Sequence, residues 1–253
     1  MRVTHDTTGD GVRERLFIIG GVPGVLWSPA ADSGRHPLVL LGHGGSQHSK
    51  APRLAARARR FVTSCGFVAA AIDAPGYGDR APSEDDEQFI AAIREQMAAG
   101  SPVDAQIADY NAGLATRAVP EWRAVLDELQ ELDEIGPRGP VGYWGLSLGT
   151  LLGLPLVAAE PRISAAVLGL AGAWSLAEAA ARVTIPVEFL LQWDDELVPR
   201  ASGLALFDAL GSHEKSLHAN PGRHGEVPPF EVDSSERFFV RHLRSGRPDW
   251  ENP

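Results

Sequence analysis

Short apolar runs alternate with longer stretches of mixed polarity along most of the chain. Residues 16–19 and 22–27 read as two strands of a hairpin with Gly20-Gly21 as the turn. The run 37–41 is continuously apolar and stops at Gly42, the pattern of a strand buried on both faces. A helix is predicted over 51–65 and a buried strand over 67–72. The same alternation continues with strands at 141–144, 163–170 and 186–191 and helices at 148–159, 175–182 and 199–210. A last helix is predicted over 230–243. Strand and helix in regular succession predict an α/β fold, a mostly parallel sheet with helices on both faces. No internal repeat or low-complexity linker divides the chain, so 1–253 reads as one domain.

The segment 82–117, after the fourth predicted strand, breaks this rhythm. Phe89, Ile90, Ile93 and Met97 recur at helical spacing, Gly100-Ser-Pro102 interrupts, and a second helical stretch follows. Ser83-Glu-Asp-Asp-Glu87 has the composition of a capped helix start in solvent, where acidic side chains offset the helix dipole. A sharper reading makes 82–117 a small helical cap over a pocket.

Composition narrows the partners. Lys+Arg number 23 against Asp+Glu 33, a formal charge of −10, and no basic stripe is present, which argues against nucleic acid. The single cysteine, Cys65, excludes an intrachain disulfide and a metal site built on paired cysteines. The polar start 1–10 lacks the apolar core of a signal peptide, and the run 163–174 is too short to cross a bilayer. The expectation is a soluble cytoplasmic protein without membrane contact; oligomeric state leaves no mark in the sequence.

Chemistry concentrates in Val141-Gly-Tyr-Trp-Gly-Leu-Ser-Leu-Gly-Thr150, where Gly145-x-Ser147-x-Gly149 joins a predicted strand to a predicted helix. Serine is a weak nucleophile unless exposed, aligned and deprotonated by a neighbouring base. A sharp strand-to-helix turn exposes it, and the flanking glycines keep side chains out of the crowded turn. Such a nucleophile requires an acid and then a histidine further along the chain. The predicted strand 186–191 empties into Asp194-Asp195-Glu196, and Asn220-Pro-Gly-Arg-His224-Gly places a histidine in a turn-rich loop. Of the eight histidines, His224 both follows the acids and occupies a glycine-flanked loop.

These separated motifs, spanning roughly 16–243, resemble the α/β-hydrolase superfamily, in particular its small bacterial serine esterases and dienelactone-hydrolase-like members. The resemblance implies a catalytic Ser147, Asp195 and His224. It selects Asp195 because the family's acid precedes a Val-Pro pair by three residues, while Asp194 and Glu196 remain adjacent alternatives. Leu40-Leu-Gly-His43-Gly44-Gly45-Ser46 resembles the family's oxyanion loop, which implies the Gly45 and Leu148 N–H groups as donors and His43, Gly44, Gly145 and Gly149 as support. Dienelactone hydrolases use cysteine as nucleophile; serine stands here. Ile72-Asp-Ala-Pro-Gly-Tyr-Gly-Asp-Arg80 resembles a rim loop of these enzymes. It also spells a loose dinucleotide fingerprint, disfavoured by Asp79, Pro82 and the acids that crowd the anion's place.

The expected function is therefore a serine hydrolase acting on a carboxylic ester or related small acyl compound, with no metal or organic cofactor. Acyl transfer or peptide cleavage on the same residues, and a non-catalytic receptor on the same fold, are the alternatives. Trp193, beside the acids, is a candidate pocket residue; Trp174 and 89–97 offer further apolar surface, and Trp144 reads as core.

Overall fold

The computed structural model describes residues 1–31, 34–100 and 103–244. Among these residues, nine strands form one sheet: β1 (Arg2–Gly9), β2 (Val12–Ile19), β3 (Val22–Pro29), β4 (Leu38–Gly42), β5 (Val68–Ile72), β6 (Val141–Gly145), β7 (Ile163–Gly169), β8 (Val187–Gln192) and β9 (Lys215–Asn220). Their spatial order is β1-β2-β3-β5-β4-β6-β7-β8-β9. The first three strands run antiparallel to their neighbours, and β5, β4, β6, β7, β8 and β9 are mutually parallel. The hairpin falls where the apolar pattern put it, with Gly20 and Gly21 at φ 56° and 85° closing the turn.

Among the described residues, seven α-helices accompany the sheet: α1 (Pro52–Cys65), α2 (Glu84–Ala98), α3 (Asp104–Gln130), α4 (Leu148–Ala159), α5 (Ala177–Arg182), α6 (Arg200–Ala209) and α7 (Phe230–Phe239), which continues as a π-helical turn, Val240–Arg244. The continuous apolar runs are explained by two cores. Leu38 and Leu40 of β4 face one, with α3 and α4, while Val39 and Leu41 face the other, with α1 and α7. Tyr143 and the adjacent Trp144 divide between the same two cores.

Two features depart from the sequence expectation. The polar start is strand β1, an edge strand exposed along its whole length, so no period-2 apolar face betrays it. It makes the strand before the irregular segment the fifth and not the fourth. Second, residue 117 is not an element boundary, because α3 runs on to Gln130 with Pro120 inside it. Proline removes one backbone donor. Trp122, Val125, Leu126 and Leu129, all buried against the sheet, offset that loss.

The packing around Tyr143 is tight enough to test. A Cβ at Gly153 would lie 2.0 Å from the Tyr143 ring, and one at Gly42 would lie 2.1 Å from its hydroxyl. Gly153→Ala is therefore expected to destabilise the fold by about 1–3 kcal/mol through overpacking. An unfolding midpoint in urea equal to that of the parent protein would contradict this packing.

Candidate active site

The parallel strands deliver their loops to one edge of the sheet. β4 and β6 are adjacent but connect to opposite sides, which opens a crevice at their carboxyl ends. Ser147 sits there, between β6 and α4, at φ 57° and ψ −121°. That conformation costs a non-glycine residue about 1–3 kcal/mol and must be held by its surroundings. The Ser147 N–H donates to the Gly169 carbonyl at 3.0 Å, and its own carbonyl accepts from Thr150 and Leu151 N–H at 2.8 and 3.0 Å. The Thr150 hydroxyl lies 2.7 Å from the Gly145 and Gly169 carbonyls and accepts the Gly169 N–H at 2.8 Å. The flanking glycines are sterically required: a Cβ on Gly145 would meet the Gly149 carbonyl oxygen at 2.7 Å, and one on Gly149 would meet that of Gly42 at 2.6 Å.

Three side chains meet in line. Ser147 Oγ is 2.9 Å from His224 Nε2, and His224 Nδ1 is 2.7 Å from Asp195 Oδ2. The other carboxylate oxygen of Asp195 accepts N–H bonds from Leu197 and Val198 at 2.8 and 2.9 Å, which fixes the group while leaving Oδ2 for the imidazole. The neighbouring acids do different work. Asp194 exchanges bonds with the Gly222 backbone, and Glu196 accepts the His224 backbone N–H at 2.9 Å. That bond holds the Glu196 carboxyl below its ordinary range. Gln192, at the end of β8, donates to the carbonyls of Pro221 and Arg223 at 3.3 Å each. Asp194, Glu196 and Gln192 thus moor the loop that carries His224, a role that sequence spacing does not announce.

His43 is buried, and both of its ring nitrogens are engaged. Nδ1–H donates to the Gly44 carbonyl at 2.9 Å, and Nε2 accepts the Ala74 N–H at 3.1 Å. This arrangement ties the Gly44-Gly45 loop to the end of β5 and needs a neutral ring. Among the described residues, neither the Gly45 nor the Leu148 N–H has a protein acceptor. The loop after β5 is closed around Asp73, whose carboxylate accepts N–H bonds from Ser49 and Asp79 at 2.7 and 2.9 Å. A Cβ on Gly78 would lie 2.3 Å from it, and α2 begins only at Glu84, so the glycines there serve Asp73 and not a pyrophosphate.

No protein-family model and no curated protein sequence matches the chain. Solved structures do. A PEG-bound cold-adapted esterase from an Arctic intertidal metagenomic library is 38% identical, with 95% of this chain and 98% of that one covered at a TM-score of 0.74. A native structure of a cold-adapted esterase from such a library is 35% identical over 96% and 100% of the two chains, at 0.71. The chain belongs to the α/β-hydrolase family. A dienelactone hydrolase from Anabaena variabilis, 19% identical over 96% and 100% of the chains at 0.64, shares the fold.

Ser147 and His224 open into a cavity of about 680 Å³ in this hydrolase. Its wall is chiefly apolar, with Ile107, Ala112, Val119, Leu151, Trp174 and Leu197 among the lining residues. The α3 face from Val103 to Pro120 supplies nearly half of it, at the three- and four-residue spacing of one helical stripe. Trp193 does not line this cavity. Its indole packs under the Arg200 guanidinium, 4.1 Å from the ring centre, and is 44% exposed. Among the described side chains of the stretch 89–97 none lines the cavity, and Phe89 stacks on Tyr110 at 4.2 Å, holding α2 against α3; the side chain of Met97 lies outside the described residues. The hydrolase has, among the described residues, no helix long and apolar enough to cross a membrane.

Burial of His43 pushes its pKa below the ordinary 6.5. The unfolded chain therefore binds this proton more readily, and the stability tied to neutral His43 is complete above pH 6.5 and lost as pH falls. In an NMR titration the His43 ring signals are expected to move only below pH 6.5. A midpoint at or above that value would refute the neutral, doubly bonded ring.

Proposed function

We propose that this hydrolase cleaves carboxylic esters through an acyl-enzyme on Ser147. The observation that carries the reading is the unbroken contact from Asp195 Oδ2 through His224 to Ser147 Oγ, at 2.7 and 2.9 Å, at the mouth of an apolar cavity. The esterase relatives support an ester as the substrate class. With the serine proton donated toward Nε2, the Nδ1 proton points at Asp195, which fixes the tautomer that a general base needs. Ser147 Oγ attacks the ester carbonyl as its proton passes to Nε2, and Asp195 stabilises the imidazolium. The tetrahedral oxyanion takes its hydrogen bonds from the Gly45 and Leu148 N–H groups, donors that are preformed and need no reorganisation. His224 then gives its proton to the departing alcohol. Water, deprotonated by the same nitrogen, attacks the acyl-enzyme and releases the acid. Ser147 and His224 regain their starting protonation, with the ester and one water as the two reactants.

The cavity supports an apolar acyl chain. In this reading α2 and the first half of α3 form the cap over it. Asp86 is the latch, with Arg117 at 2.7 Å, Tyr110 at 3.0 Å and the Ser83 hydroxyl at 2.8 Å. The Arg117 guanidinium holds the Asp86 carboxyl well below its usual range, so the latch stays charged at neutral pH.

Hydrolysis of p-nitrophenyl esters with acyl chains of roughly two to twelve carbons tests the reading. Ser147→Ala is expected to lower kcat on the order of a millionfold and Asp195→Asn about ten-thousandfold. Asp194→Asn keeps the charge line intact and is expected to cost far less. A Ser147→Ala variant retaining a few per cent of activity would remove the proposal. Narrowing the cavity with Ala112→Phe is expected to lower kcat/KM for a long acyl chain about tenfold or more relative to acetate. Equal losses on both esters would place the acyl chain elsewhere.

A further inference from the structure

A buried carboxylate needs a compensating charge or a set of N–H donors. Asp86 has Arg117, Glu160 has Arg162 and Arg123, and Asp73 has two backbone N–H groups. Glu188 on β8 and Glu231 on α7 are different. They are 3% and 2% exposed, and they face each other between the sheet and α7. Among the described residues, no arginine or lysine nitrogen comes within 4.0 Å of either. Their shared charged neighbour is the imidazole of His218 on β9, with Nδ1 2.8 Å from Glu231 and Nε2 3.8 Å from Glu188. We propose that Glu188, His218 and Glu231 form a binding site for one divalent cation of the zinc class.

Three features support it. The first is charge: a protonated imidazole offsets one of the two buried carboxylates, whereas a dication offsets both. The second is donor type and spacing. One imidazole nitrogen and two carboxylates suit a borderline cation such as Zn2+, and one donor atom from each residue lies within 4.8 Å of the others. The cation takes the place of the proton between Nδ1 and Glu231, and Glu188 closes from across the ring. The third is the outer shell. Ser234 and Ser235 donate to Glu188 at 2.9 and 3.3 Å, and Asn220 donates to Glu231 at 2.9 Å, bonds that orient carboxylates as outer-shell partners of metal ligands do. The side chain of His218 is 28% exposed, which gives the ion and a completing water a way in. None of these residues belongs to the Ser147–His224–Asp195 line.

Metal-free protein titrated with zinc chloride tests the site by calorimetry and thermal unfolding. One equivalent is expected to bind, with Tm rising about 5–10 °C at ~100-fold excess over Kd. Glu188→Gln and His218→Gln, each checked for native circular dichroism, are expected to weaken that binding about 100-fold or more. His224→Gln, which removes the imidazole at the cavity mouth, is expected to retain it. No binding to the parent protein, undiminished binding to either of the first two variants, or loss with His224→Gln would each overturn the proposal. Should Glu188→Gln and His218→Gln not fold, X-ray absorption of zinc-loaded His224→Gln decides. One imidazole nitrogen at about 2.0–2.1 Å beside oxygen neighbours supports the site, and an oxygen-only shell or absence of bound zinc overturns it.

Discussion

Ser147 can stand at φ 57° only where β4, β6 and the start of α4 approach without side chains between them. Gly42, Gly145 and Gly149 are that absence, and the Thr150 hydroxyl stitches the ends of β6 and β7 beneath the turn. Tyr143 completes it from below, its ring seated against Gly153 and its hydroxyl donating to the Gly149 carbonyl at 2.6 Å. The strained residue is thus held by buried backbone contacts from three strands and a helix. The same arrangement leaves the first N–H of α4, on Leu148, without a protein acceptor, as the start of any helix does. Exposure of the hydroxyl and the free donor beside it are two consequences of one backbone turn.

Bringing an imidazole to that hydroxyl from 77 residues further along requires a second rigid support. The consecutive acids Asp194, Asp195 and Glu196 provide it by dividing their tasks. The outer two bind backbone N–H groups of the 222–224 loop, and the middle one is left to the ring. Three adjacent negative charges would repel in isolation, yet each faces a separate donor, and Asp195 is further fixed by the N–H groups of Leu197 and Val198 further along its own loop.

That partition explains what could be read without coordinates. Gly145-x-Ser147-x-Gly149 was legible because local geometry restricts the residues at each place, and the buried parallel strands were legible because both faces demand apolar side chains. The choice among the three acids was not legible from the residues alone, and only the resemblance, through the Val-Pro pair, singled out Asp195, the acid that meets His224. That choice depends on which carboxylate points where, and their spacing along the chain is one residue. Strand β1 was hidden because neither of its faces is buried, so hydrogen bonding to β2 alone makes it a strand. Trp193 was misplaced for a related reason. In a loop no periodicity says which side faces inward, and Arg200 supplied a partner on the outer side. Glu188, His218 and Glu231 come from two strands and a helix, at intervals that match no ligand spacing, and only register brings them together.

Helix α3 carries the largest structural difference from the sequence reading. Its second half is anchored in the sheet core by Trp122, Val125, Leu126 and Leu129, and its first half forms the cavity wall. Pro120 stands at the junction, where its missing N–H leaves the Thr116 carbonyl without its usual partner on the cavity side. A helix interrupted there would lose the rigid transfer of position from core to wall. Continued through the proline, it lets packing against the sheet set where Ile107 and Ala112 stand, while Asp86 and Phe89 of α2 brace Arg117 and Tyr110 from outside. The position of the cavity wall therefore depends also on residues that do not line it. Substitutions in the sheet-facing half of α3 belong with those in the lining when the size of the cavity is considered.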